Sequence, residues 1–169
     1  MPDKRFWNLI DASQPFGQGQ PERLEEILQP LDFPERLAFD LTFFKLREAA
    51  YRWDVYVYAG GCSDDSFMDF RAGLIGLGQA AYEAALADPD SLADQTSRLS
   101  DDDFLMAEDF GGVSSRALRD AMCAELTQED LKPLVQDLNA GPPEWDFDNE
   151  QEIQRRYPHL WAMYGDGEA

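Results

Sequence analysis

Hydrophobic positions recur at the helical period along almost the whole chain. Phe6, Trp7 and Ile10 mark a first short amphipathic segment, with Asp3 as its cap. A loop rich in Gln, Gly and Pro covers 13–20, and Pro21 stands where a helix opens. Leu24, Ile27, Leu28 and Leu31 give that helix its apolar face. Asp32 is the expected N-cap of a third helix, with Pro34 in the first turn and Glu35 three residues after the cap. Leu37, Phe39, Leu41, Phe43, Phe44, Leu46 and Ala50 fill it. Arg36 with Asp40, and Lys45 with Glu48, read as surface pairs on this helix.

The stretch from Ala49 to Gln79 is the densest in aromatics, glycines and charges. Trp53, Tyr56 and Val57 fall at i, i+3 and i+4, and Tyr51, Val55 and Tyr58 extend the apolar character round the cylinder. Gly60-Gly61 ends that segment, because glycine accepts the left-handed conformation of a helix C-terminus. Ser63 is the next expected N-cap. Asp64 and Asp65 then fall in the first turn, where carboxylates meet the positive end of the helix dipole. Phe67, Phe70, Leu74, Ile75 and Leu77 supply the apolar face, and Gly78 is the expected stop. Asp65 and Asp69 lie four apart on one face, with Asp64 close by and Arg71 one turn beyond Phe67.

The segments AYRWD and GGCSDDSFMDFRAGLIGLGQAAYEAALADPDSLAD carry a resemblance. Together they look like the signature of a bacterial family named domain of unknown function 4240. An FW near the start, the FDLTFFKL helix and the YPHLW ending extend the likeness over most of the chain. The family pattern places a tryptophan soon after RWD and another in the FRxWLI segment. Here Val55 or Tyr56, and Ala72-Gly73, stand at those places. The resemblance implies the fold and the location of a site, and no chemistry.

Farther along, Ala80, Ala81, Tyr82, Ala84, Ala85 and Leu86 predict a small-residue helix that ends at Asp88-Pro89-Asp90. Ser91 to Asp103 is polar and acidic, ending in three consecutive aspartates. Phe110-Gly111-Gly112 reads as a second glycine stop, after which Ser114 or Ser115 would cap a helix bearing Leu118, Ala121, Met122 and Leu126. Thr127 to Leu138 patterns as another helix. A last helix is expected from Asp148 to Tyr157, and the aromatics Trp145, Phe147 and Trp161 would dock the tail. No stretch alternates as a strand does. The expected fold is all-α: a compact, single-domain bundle of about 7–9 helices with little or no sheet. It would span 1–164, with 165–169 frayed.

Charge changes this picture more than composition does. The chain has 34 acidic and 14 basic residues, a net charge of −20. The excess is concentrated: 83–152 hold 19 acidic and 4 basic residues, against 13 and 8 in 1–82. Such a surface argues against nucleic acid, whose recognition rests on cations meeting phosphates, and against anionic membrane. It favours a basic protein as partner. Cys62 and Cys123 make no disulfide framework and are expected reduced. With no long apolar run in MPDKRFW, neither a signal peptide nor a membrane span is expected, and the expected location is cytoplasmic.

Tests for particular chemistries leave little. There is no phosphate loop, no zinc spacing, and a single histidine, His159. No cofactor is expected. Asp64, Asp65 and Asp69 could offer oxygen ligands to a divalent cation, although acidic residues at a helix start are ordinary capping. Two functions compete. One is a non-catalytic acidic interaction protein, immunity- or antitoxin-like, that neutralises a basic partner. The other is a small enzyme or ligand-binding domain with its pocket at Arg52, Trp53, Asp54, Asp64, Asp65, Asp69 and Arg71. The central arginines would otherwise pair with Asp54, Asp64 or Asp69 to hold two helices together.

Overall fold

The computed structural model describes residues 1, 3–17, 19–51, 64–95, 107–122 and 149–164. Among them every regular element is helical, as the sequence period requires. The order is α1 (Asp3–Ala12), α2 (Gln20–Leu28), α3 (Phe33–Ala49), α4 (Asp64–Gly76) and α5 (Gln79–Ala87). A 3-10 turn (Pro89–Gln95) follows, then α6 (Glu108–Met122), α7 (Glu150–Arg156) and α8 (Pro158–Tyr164). The expectations for Gly60-Gly61, Cys62, Ser63, the triple aspartate, Cys123, 127–138, Trp145 and Phe147 lie outside the described residues.

Local signals place the early helices. Pro21 opens α2, and Leu24 and Leu28 are its buried face. Asp32 caps α3, its carboxylate accepting the Glu35 N–H at 2.9 Å. Phe39, Phe43 and Ala50 then form a buried stripe, with Leu46 partly buried beside it. Phe6 of α1 stacks on Phe39 at 4.8 Å between ring centroids, and Phe43 meets Phe110 of α6 at 5.9 Å. Such pairs add about 0.5–1.5 kcal/mol each beyond the area they bury. Tyr82 of α5 packs on Trp7 and donates its hydroxyl to the Leu46 carbonyl at 2.7 Å, and its burial pushes its pKa up to about 12.

Helix α4 is the centre of the bundle. Phe70 through Gly78 are buried without a break, so the C-terminal half of the helix is covered on every side. It packs against α3, α5 and α6. Its last carbonyl, on Gly76, accepts the side-chain amides of Gln14 at 2.6 Å and Gln20 at 2.9 Å, which fastens the α1–α2 loop over the helix end. Gly78 then turns the chain into α5 with a φ of 97°, a conformation that a side chain would strain.

One expectation is corrected. Gly111-Gly112 does not stop a helix: α6 runs through both from Glu108 to Met122, and Ser114 sits buried within it rather than capping it. The reason is packing. A Cβ on Gly111 would stand 3.1 Å from the Cβ of Ala72 on α4, so glycine there lets two helix backbones approach closely. Arg36 is a second correction, because it bonds to carbonyls rather than forming the expected surface pair. Its Nε donates to Leu31 at 2.8 Å, Nη2 to Gln29, and Nη1 to Ala117 of α6 at 3.4 Å.

The glycine contact predicts opposite behaviour for two substitutions. Gly111→Ala exchanges about 1 kcal/mol of helix propensity for a small helix shift and should be close to neutral. Gly111→Leu should cost about 2 kcal/mol or more in urea unfolding by forcing α6 from α4. Equal stability of the leucine variant would show that the contact is slack.

Candidate functional site

Of the expected central site, Arg71 and Asp69 have described side chains, and Arg71 carries the contacts. Its side chain leaves α4 and crosses to the end of α3. It is 5% exposed. Nη1 donates to the Arg47 carbonyl at 3.1 Å and to Glu48 Oε1 at 3.3 Å, and Nε donates to the Phe67 carbonyl at 3.3 Å. The guanidinium carbon lies 4.7 Å from the Tyr51 ring centroid and 4.9 Å from that of Phe67. A cation between two ring faces gains from both quadrupoles, more so where water is excluded. Carbonyls at a helix C-terminus carry the negative end of its dipole, so Arg71 also acts as a cap on α3. Burial lowers its pKa, and the Glu48 carboxylate opposes that shift.

Among the described residues the ion-pair partner of Arg71 is thus Glu48 of α3. Asp69 lies half-buried on α4. Asp64 and Asp65 open that helix at the expected places, but their side chains lie outside the described residues, as do Arg52, Trp53 and Asp54. Among the described residues no three His, Cys, Asp or Glu side chains are grouped to hold a metal ion.

A second polar contact was not foreseen. Asp40 of α3 accepts a hydrogen bond from Ser114 of α6 and feels the charge of Arg47. Burial nonetheless outweighs both and raises its carboxyl above the usual carboxylate range. Arg47 stacks its guanidinium on Phe44, 5.5 Å from the ring centroid, and its Nε lies 3.9 Å from Glu48 Oε1. Asp40, Phe44, Arg47, Glu48 and Tyr51 follow one another at helical spacing. They form a charged and aromatic stripe beside the apolar stripe of Phe39, Phe43, Leu46 and Ala50. That doubling was visible in FDLTFFKLREAAY, where the residues read as surface pairs.

A shallow groove lies elsewhere, between the end of α1 and the start of α5. Asp11, Leu77, Gly78, Gln79, Ala80 and Glu83 line it. Glu83 accepts the Gln79 amide at 2.7 Å.

Among the described residues this all-α scaffold is centred on α4 and tied by Arg71. Residues 1–120 match the family described as a protein of unknown function (DUF4240), and the chain belongs to it. Neither the curated proteins nor the solved structures contain a significant match. Among the described residues no helix is long and apolar enough to cross a membrane.

Two substitutions separate the polar contacts. Arg71→Ala removes the cap, the ion pair and both ring contacts, and should lower unfolding free energy by about 3 kcal/mol. A loss under about 1 kcal/mol would reduce Arg71 to a surface-like pair. Asp40→Asn keeps an acceptor for Ser114. A raised folded-state pKa means that the contribution of Asp40 is full below the unfolded value of 3.8 and is lost as pH rises through the folded value. The asparagine variant should therefore gain stability over the native chain at neutral pH and lose that advantage in acid. The opposite pH trend in paired urea titrations would contradict the burial argument.

Proposed function

We propose that this chain is a non-catalytic acidic interaction protein that binds and neutralises a basic protein partner, as an immunity or antitoxin-like protein does. The observation that carries the reading is where the cations go. Arg23, Arg36, Arg71 and Arg116 all turn guanidinium N–H groups to backbone carbonyls. The carboxylates do the reverse: Glu83, Asp88, Asp94, Glu108, Asp109 and Glu150 are exposed. Those four arginines use hydrogen-bonding capacity inside the fold, while Lys4, Arg5, Lys45, Arg155 and Arg156 stay exposed among a larger number of carboxylates, in keeping with the net charge of −20. A field of that sign speeds encounter with a cationic protein and disfavours phosphate-bearing partners.

The test is capture from the native cell lysate at low and at high salt, with and without neutralisation of the surface by Glu83→Gln, Asp88→Asn and Asp94→Asn. A stoichiometric basic protein should bind at low salt, elute at high salt, and be lost by the neutralised chain. Capture that ignores both salt and neutralisation, or no partner at either salt, would overturn the reading.

A further inference from the structure

Asp90 has an unusual position for a carboxylate in so acidic a region: it is only 7% exposed. The 3-10 turn that carries it follows α5, and exposed Asp88 and Asp94 flank it. Asp88 Oδ1 accepts the Asp90 N–H at 3.2 Å and so fixes the turn. The Asp90 carboxylate then reaches a segment about seventy residues away. Oδ1 accepts the Leu160 N–H at 3.0 Å, and Oδ2 accepts the His159 N–H at 3.2 Å, with His159 Nδ1 3.3 Å away. One aspartate thus caps α8 from outside its own sequence.

The segment it holds is lightly built. Asn149 caps α7, and Arg155 and Arg156 pair with Glu152 inside the segment. Among its described side chains Tyr157 and Leu160 are buried and Ile153 packs partly buried against the core, while Gln151, Gln154, Arg155, Arg156, Pro158 and His159 are exposed. It packs most closely on the 3-10 turn, and it lies beyond the residues that match the family. Segments with few buried contacts open at lower free energy than the core they rest on.

We propose that residues 149–164 form a releasable arm that covers Asp90, and that a basic partner competes with this arm for the turn. Closed, the arm satisfies the buried carboxylate with two backbone N–H groups. Open, it adds Asp90 to the exposed Asp88 and Asp94 and leaves three carboxylates facing solvent. The competition rests on the acidic-partner reading; the release of the arm does not.

Amide hydrogen exchange on the full chain tests both parts. The amides of His159 and Leu160 should exchange at least about tenfold faster than those of Leu74 and Ile75 in α4. Asp90→Asn should raise the rates over 157–162 and leave α4 unchanged. Equal rates in the native chain, or a rise in α4 as large as that in the arm, would show that the segment opens only with the whole fold and would overturn the proposal. An oligolysine peptide should bind the native chain and speed exchange at His159 and Leu160. Binding without that effect overturns the competition. No binding removes the acidic-partner reading and the competition with it, while the exchange rates still decide whether the arm is releasable.

Discussion

The crossing of Arg71 from α4 to the end of α3 is the contact on which the arrangement of the bundle depends. Helix α4 is apolar on nearly every side, and such a surface gives area but little direction. Any close packing of Phe70, Leu74 and Ile75 would bury them. What selects one registration of α3 on α4 is a charged group that must find its partners or remain buried without them. Arg71 finds two carbonyls, a carboxylate and two rings at once, and all but the Phe67 groups come from the last turn of α3 or from Tyr51, two residues beyond its end. The close approach of Gly111 to Ala72 fixes the other side of α4 in the same way, by shape instead of charge.

The polar stripe on α3 extends this logic to α6. Asp40 reaches Ser114, Arg47 and Glu48 lie about two turns nearer Arg71, and the apolar stripe runs alongside. One helix thus presents two adjacent faces, one that supplies burial and one that supplies direction. A desolvated carboxylate is a costly way to hold two helices together. Its raised pKa says as much, and a hydroxyl plus a neighbouring arginine only partly offsets the cost.

What could be read from the sequence was the local part. The Asp32, Pro34 and Glu35 cap, the opening of α2 at Pro21 and the helical period of α1 to α5 and α7 depend on residues within a few positions of each other, so sequence spacing suffices, whereas the 3-10 turn and α8 were not expected. Gly111-Gly112 misled because a glycine pair has two uses, helix stop and close helix contact. Which one applies is decided by Ala72, about forty residues away. Arg71 stood out in the sequence, but its ion pair with Glu48 of α3 did not, while Asp54 and the side chain of Asp64, two of its expected partners, lie outside the described residues. Asp90 looked like part of a helix-ending turn, and nothing near it in sequence announced that it would cap a helix about seventy residues on. In each case the missing term was a tertiary contact, which no local pattern encodes.

Under the proposed reading the acidic surface serves for more than solubility. A net charge of about 2–8 in magnitude keeps a small domain dispersed. This chain carries −20, and like charges at that density repel one another across the folded surface. A sequence under pressure for stability alone would place arginines on that surface as counter-ions. Instead Arg23, Arg36, Arg71 and Arg116 face carbonyls, where they close helix ends and loops. Among the described residues these four arginines serve internal order, while Arg5, Arg155 and Arg156 pair with Glu35 and Glu152 at the surface and offset only part of the repulsion. A cationic partner would relieve that repulsion on binding, so the self-repulsion of the free protein becomes part of the driving force for the complex.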